Sequence, residues 1–521
     1  MSEREYIVSL NRGVDSAAFN QEMIATTGAG AIPGRSVDVA DARLGSERNT
    51  HYNLTDAEAD ALKSDPRVYA VTLLPELDPS IGIGVRATQS GDFTKTTLDR
   101  GDFVNWGLRR INEAANPYTD LTVTGGYNYT LDGTGVDVVI MDSGIQSDHP
   151  EFQDAEGVSR VQEINWATES GLGFTQDANH YRDFDGHGTH VAGILAGKTY
   201  GWAKNARIYS VKLNGLEGTG DSGTGISATY AFDCIKLWHR NKAVDPATGY
   251  KRPTVVNMSW GYVRGYNSVT NLTYRGDLKS GTDIDTEAKR WAFGLPPVSG
   301  ANIGAGFTYA TNLRVGSVDT DVQELIDEGI HVIIAAGNRS HKIDVSGGDD
   351  FGNFIAADTG SNEYQKGSSP FDDEAHIVGN IDSAEHTGGL EQKAASSECG
   401  PGVSIYAPGT DIMSAMSTTN GFGATTVANP YPADDSFLIN NIGGTSMASP
   451  QIAGVLALWL QINPNATPAQ GLNFINSTAK TDQIYDTASA VDYTDTRSLL
   501  GSTNRFAFNK FNSNVQMRLG N

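Results

Sequence analysis

Three short segments carry side chains that could do covalent chemistry together. Val138-Val139-Ile140-Met141-Asp142-Ser143-Gly144 ends an apolar run on a carboxylate. Asp185-Gly186-His187-Gly188-Thr189-His190-Val191-Ala192-Gly193 opens a small-residue stretch on an imidazole. Gly444-Thr445-Ser446-Met447-Ala448-Ser449-Pro450 sets a hydroxyl ahead of a long apolar stretch. Each alone has a plainer role. Asp142 can cap a turn, and Ser446 can cap a helix N-terminus. His187 and His190 can be structural or can ligate a metal, although no third ligand cluster accompanies them. Together they offer something else. A serine hydroxyl is a poor nucleophile until a neighbouring base takes its proton. His187 can be that base, then the acid for the leaving group, while Asp142 fixes the imidazole tautomer and stabilises the imidazolium.

Such a trio needs a scaffold that gathers distant segments. The apolar runs Val136 to Met141, Arg207 to Leu213, Thr254 to Met258 and His331 to Ala335 read as strands. Helix patterns cover 187–197, 223–240, 320–328 and 446–461, with Pro450 in a tolerated first turn. Apolar strands alternating with helices imply a parallel α/β sheet, whose sites lie at the carboxyl ends of the strands. Asp142 falls at one such end. The stretches 241–252, 262–318, 340–374 and 416–440 are rich in Gly, Asn, Ser and Asp and read as loop insertions. No internal repeat is present.

The three segments, in this chain order, resemble the Asp, His and Ser signatures of the subtilisin-like serine peptidases, the subtilases. Val256-Asn257-Met258-Ser259-Trp260-Gly261 resembles that family's substrate-binding strand, and Ala335-Ala336-Gly337-Asn338 its oxyanion-hole segment. The resemblance runs from about Trp106 to about Ala479. It implies a three-layer domain and a serine endopeptidase acting on extended polypeptide, with catalytic residues Asp142, His187, Ser446 and Asn338. Asn338 Nδ2 and the Ser446 backbone N–H would then stabilise the oxyanion, each such donor being worth roughly 3–4 kcal/mol. Ser259, Trp260, Gly261, Ala336 and Gly337 would hold substrate. Those segments carry no charge, which argues against an acidic specificity pocket, and Trp260 would narrow the pocket for the fourth residue before the cut. The short Ala196-to-Lys204 stretch and Trp106-Gly107-Leu108 are similar to the proteinase K branch. Glu151 stands where the bacterial calcium site has an Asp, so that site is in doubt. Asp382 could still ligate a structural calcium, or be a solvated turn carboxylate. No cofactor is expected for catalysis.

Residues 1–76 have a pattern of their own. Tyr6 to Leu10 reads as a strand, Asp15 as the N-cap of a helix, and Val37 to Val39 and His51 to Leu54 as strands. Thr55-Asp56-Ala57-Glu58 is a capping box opening a second helix. Asp65-Pro66 ends that helix before a last strand, Val68 to Leu73. The order β-α-β-β-α-β is that of a small α+β ferredoxin-like domain. Beside the family resemblance it is similar to a propeptide inhibitor domain, with a tail near Leu74-Pro75-Glu76-Leu77 expected in the cleft. An unrelated adaptor domain of the same pattern is the alternative. Residues 77–105 read as a linker and 106–521 as the catalytic domain with its insertions.

Composition bounds the rest. The formal charge, 38 − 62 = −24, excludes a nucleic-acid binder with a basic footprint. With 39% hydrophobic and 19% charged residues the chain can bury a large core. Two cysteines, Cys234 and Cys399, cannot make a disulfide framework. Met1 to Glu5 starts no signal-peptide pattern and no apolar run is long enough to span a membrane. A soluble chain, intracellular or assembled into a particle, is the expectation. A latent or inactive structural component of a larger assembly, such as a virion, is the second reading.

Overall fold

The computed structural model describes residues 3–25, 30–43, 45–77, 81–85, 105–112, 129–218, 221–295, 309–384, 389–419, 429–487 and 493–510. Nine strands form its main sheet. In spatial order they are Lys480–Thr481, Arg505–Phe506, Ile405–Pro408, His376–Ile381, His331–Ala335, Thr254–Met258, Asp137–Asp142, Arg207–Lys212 and Val161–Gln162. Every neighbouring pair is parallel except the first, which closes one edge antiparallel. The central strands are buried at every position, as a sheet covered on both faces requires. Helices His187–Ala196 and Thr445–Ile462 pack together on one side, and Ala228–Asn241 and Gly316–Asp327 on the other. One apolar core runs through all three layers.

Each expected strand is present within a residue or two, and helix 223–240 begins later, at Ala228. The Gly/Asn/Ser/Asp-rich stretches are not merely loops. Val269–Tyr274 and Asp277–Ser280 from one, and Phe354–Ala357 and Gly360–Glu363 from another, join in a four-stranded antiparallel sheet. Tyr266, Leu272, Ile284, Leu295, Ile355 and Tyr364 form its small core. Asp434–Ile442 likewise pairs on one side with Asn429–Tyr431 and on the other with Ile412–Met416. Polar alternation hides such strands, since only one face of each is buried.

Near the N-terminus, strands β1 (Arg4–Leu10), β2 (Val39–Asp41), β3 (Asn49–Leu54) and β4 (Val68–Leu73) form an antiparallel sheet in the order β2-β3-β1-β4. Helix α1 (Ser16–Ile24) is capped by Asp15, and α2 (Asp56–Leu62) by the Thr55/Glu58 box. Their apolar faces meet the sheet in a separate core around Phe19, Met23, Tyr52 and Leu62. Strands β4 and β1 lie against helix Gly316–Asp327. Pro75–Leu77 is a single 3₁₀ turn, not an extended tail. No helix among the described residues is long and apolar enough to cross a membrane.

Candidate active site

Asp142 is the last residue of its strand and is fully buried. Its Oδ1 accepts the Ser143 N–H at 2.8 Å and faces His187 Nδ1 at 2.7 Å. His187 begins its helix and is also fully buried. Burial alone would pull the imidazole pKa down, but the charge and hydrogen bond of Asp142 outweigh it and raise the pKa. The approach of the two elements depends on glycine. A Cβ on Gly188 would sit 2.2 Å from the Gly144 carbonyl oxygen, so a larger residue would push the histidine helix off the strand end.

A residue that the sequence reading passed over fastens this junction. Asp183 accepts hydrogen bonds from Ser143 Oγ (2.9 Å), Gly186 N (2.7 Å) and Thr189 N (2.9 Å). It thereby ties the turn after Asp142 to the first turn of the His187 helix. Its signal was local: an Asp just before a helix start. Nearby Asp185 is pushed up to about 7, first by burial and then by the Asp183 charge. His190 is a structural histidine. Its Nε2 lies 3.0 Å from the Asn440 carbonyl oxygen, and burial pulls its pKa down to about 3.

Ser446 sits in the first turn of helix Thr445–Ile462, which packs against the His187 helix. Its Oγ lies 3.1 Å from the Ser259 carbonyl oxygen. Pro450 is not in that first turn but inside the helix. It removes the N–H that would bond to the Ser446 carbonyl, and the Ser259 hydroxyl donates there instead at 3.1 Å. Ser259 Oγ also meets Ser449 Oγ at 3.0 Å and accepts from Asn257 Nδ2 at 2.9 Å. The segment around Ser259 and the helix Thr445–Ile462 are thus locked together.

Asn338 follows the strand His331–Ala335. Its Oδ1 accepts the Thr445 N–H at 3.0 Å, so the Thr445 amide fixes which way the carboxamide faces. Its Nδ2 is buried with no hydrogen-bond partner. Neighbouring Gly337, at φ +121°, donates its N–H to Thr445 Oγ1 at 3.1 Å. Asn338 thus holds an unused buried donor next to the N-terminal turn that carries Ser446, where the helix dipole favours negative charge.

Trp260–Tyr266 is the middle strand of a three-stranded antiparallel sheet between Tyr309–Asn312 and Ile81–Val85. Trp260 pairs with Val85 and Gly261 with Gly84. The Trp260 ring is fully buried, with Phe232 and Tyr262 beside it. Ile81–Val85, within the stretch read as a linker, is thus the segment paired with Trp260–Tyr266, whereas Pro75–Leu77, expected in the cleft, is a 3₁₀ turn. Ala336 donates its N–H to the Val378 carbonyl at 2.9 Å, holding its loop on the main sheet.

The calcium expectations meet other chemistry. Buried Glu151 caps the Thr199 and Tyr200 N–H groups at 2.9 and 3.1 Å and accepts from the Tyr431 hydroxyl at 3.0 Å. Half-buried Asp382 accepts the Ala384 N–H at 3.0 Å. Among the described residues no three His, Cys, Asp or Glu side chains converge to hold a metal. Cys234 and Cys399 are buried free thiols, both pushed up to about 12 by burial.

A family model described as the subtilase family matches residues 133–506. Curated relatives include an alkaline serine exoprotease A of Vibrio alginolyticus, 26% identical over 84% of this chain and 57% of its own length. A cuticle-degrading serine protease of Arthrobotrys oligospora is 26% identical over 81% of this chain and 71% of its own. The chain thus spans little more than half of the first of these proteins. Among solved structures, fervidolysin from Fervidobacterium pennivorans, a keratinolytic enzyme related to subtilisin, superposes with a TM-score of 0.52 at 16% identity, covering 96% of this chain and 60% of that one.

Proposed function

We propose that this chain, which belongs to the subtilase family, is a serine endopeptidase. The observation that carries the reading is the buried Asp142–His187 pair, 2.7 Å apart, on the side of the sheet where the Ser446 helix packs and Asn338 Nδ2 has no partner. His187 takes the proton of Ser446 Oγ as that oxygen attacks the substrate carbonyl. The tetrahedral oxyanion accepts from Asn338 Nδ2 and the Ser446 N–H. The imidazolium, steadied by Asp142, protonates the leaving amine. The acyl-enzyme is then opened by water with His187 again the base.

Substrate binds extended, as a strand added along Ser259 to Gly261, with Ala336 and Gly337 on the opposite wall of the primary pocket. The buried Trp260 ring supports a preference for small side chains at the fourth residue before the cut, which a peptide-library cleavage profile would read.

The N-terminal unit acts as an intramolecular inhibitor. Two observations support this: its sheet rests on helix Gly316–Asp327, and 81–85 occupies the edge of the binding strand. The ladder runs antiparallel toward Ser259, whose carbonyl lies 3.1 Å from Ser446 Oγ. Self-cleavage therefore falls in the residues soon after Val85.

Incubation with casein, with and without phenylmethylsulfonyl fluoride, tests the activity against the Ser446→Ala chain. Hydrolysis abolished by either change supports the reading, and a chain that cuts nothing after removal of its N-terminal unit sinks it. N-terminal sequencing over time tests the inhibitor. A new terminus soon after Val85, absent from Ser446→Ala, is expected, whereas one at Leu77 counts against the docked strand.

A further inference from the structure

Glu398 is a fully buried carboxylate outside the proposed catalytic set, and its side chain bonds to the loop that presents Asn338 and to the strand Tyr309–Asn312. Its Oε1 accepts from the Arg339 N–H at 3.2 Å and from Asn312 Nδ2 at 2.9 Å. Its Oε2 accepts from the His341 N–H. Its own N–H donates to the Gly337 carbonyl at 2.9 Å. One residue thus takes the backbone on both sides of Asn338. The fit is close: a Cβ on Gly337 would lie 2.8 Å from Glu398 Cγ.

The loop needs such a template. Gly337 stands at φ +121° and Ser340 at φ +58°. A non-glycine residue such as Ser340 persists in the left-handed region only where the surroundings over-determine it. The Ser340 N–H also bonds the Ser396 carbonyl at 2.9 Å, so 337–341 is strapped along 396–399. Asn312 belongs to Tyr309–Asn312, the neighbour of the binding strand. Glu398 therefore joins the wall of the substrate sheet to the oxyanion loop. Burying a carboxylate is costly; Glu398 is accordingly pushed up to about 7 by burial, against the pull of Asn312, Arg339 and the His341 N–H.

We propose that Glu398 is the positioning residue for Asn338: it sets the backbone frame from which Nδ2 is aimed at the oxyanion. This rests on reading Asn338 as the oxyanion donor. Glu398 itself touches neither substrate nor the reacting atoms.

The test is a double-mutant cycle in the full chain after self-processing, read as kcat and KM on a peptide anilide. Asn338→Ala alone should lower kcat by about 10²–10³-fold. Glu398→Ala should lower kcat by roughly 10–100-fold with KM within about threefold, because only a transition-state contact is disturbed. In the Asn338→Ala background the same change should cost less than about twofold. Glu398→Gln, which keeps the shape and one acceptor but turns an amide donor toward a backbone N–H, should fall between. It carries the cycle if Glu398→Ala does not fold. Losses that simply multiply in the double variants overturn the proposal, as does a raised KM with unchanged kcat. An Asn338→Ala chain with normal kcat overturns the oxyanion reading itself, a distinct result.

Discussion

Asp142 and His187 meet at 2.7 Å with neither side chain exposed to water, so the imidazole is tuned by one neighbour more than by solvent. A general base works only when neutral. Since the His187 pKa is raised from the ordinary 6.5, kcat/KM should fall with decreasing pH through an apparent pKa above that value. Asp142→Asn removes the charge that raises it. The acid limb should then shift downward, and kcat should drop about 10⁴-fold because the wrong tautomer is favoured. A pH–rate profile of the two proteins checks both statements, and coincident limbs would refute the assignment of Asp142 as the cause.

At the scale of elements, the serine helix shows how a broken rule is compensated. Pro450 costs the helix a hydrogen bond, and Ser259 Oγ supplies the missing donor to the Ser446 carbonyl at 3.1 Å. Ser259→Ala should leave that buried carbonyl unpaired and destabilise the chain by about 1–3 kcal/mol. Adding Pro450→Ala, which restores a helical N–H, should recover part of the loss. Denaturant unfolding in the Ser446→Ala background, where self-cleavage cannot blur the transition, reads the difference. Equal stability of the single and double variants would show that Ser259 matters elsewhere.

The same scale explains what the sequence made legible. The segments around Asp142, His187 and Ser446 each carry their element boundary and their chemistry in one local string, as do the caps at Asp15 and Thr55. Strand His376–Ile381 passed unread because Gly379 and Asn380 interrupt its apolar pattern. The glycine is there for packing: a Cβ on it would lie 2.3 Å from Tyr406 Cε1. Glu398 was unreadable for a different reason. It lies in a Gly/Pro-rich stretch, and only the fold brings it under Gly337 and Asn338. The strand 81–85 carried no signal beyond alternating Gly and apolar residues, and its partner is set by tertiary pairing.

For the whole molecule, the contact between the N-terminal unit and the catalytic layers is centred on one cation. Arg43, at φ +37°, is fully buried. It donates to Asp233 at 2.9 and 3.1 Å, to Asp321 at 2.9 and 3.3 Å and to the Thr229 carbonyl at 2.8 Å. Asn49 Nδ2 adds a bond to Asp321 at 2.9 Å, Tyr230 donates to Asp41, and Ser46 Oγ donates to Glu324, which also pairs with Lys236 at 2.8 Å. Arg43→Ala leaves two buried carboxylates without their cation, a loss of about 3–5 kcal/mol. In the Ser446→Ala chain it should expose β1 to β4 to added protease while the main sheet stays protected. The pH dependence follows from the same site. Burial, with the charges of Asp233 and Glu324, pushes Asp321 up to about 7 despite Arg43, and Asp233 is likewise raised. A carboxylate raised above its unfolded value stabilises the folded chain when protonated, and that contribution is lost as pH climbs through its folded pKa. Hydrogen exchange of the Ser446→Ala chain, corrected for intrinsic rates, should therefore show helix Gly316–Asp327 better protected near pH 6 than near pH 9. Asp321→Asn should flatten that difference. Protection that instead improves with rising pH would mean that the Arg43 charge pairing dominates over burial at this interface.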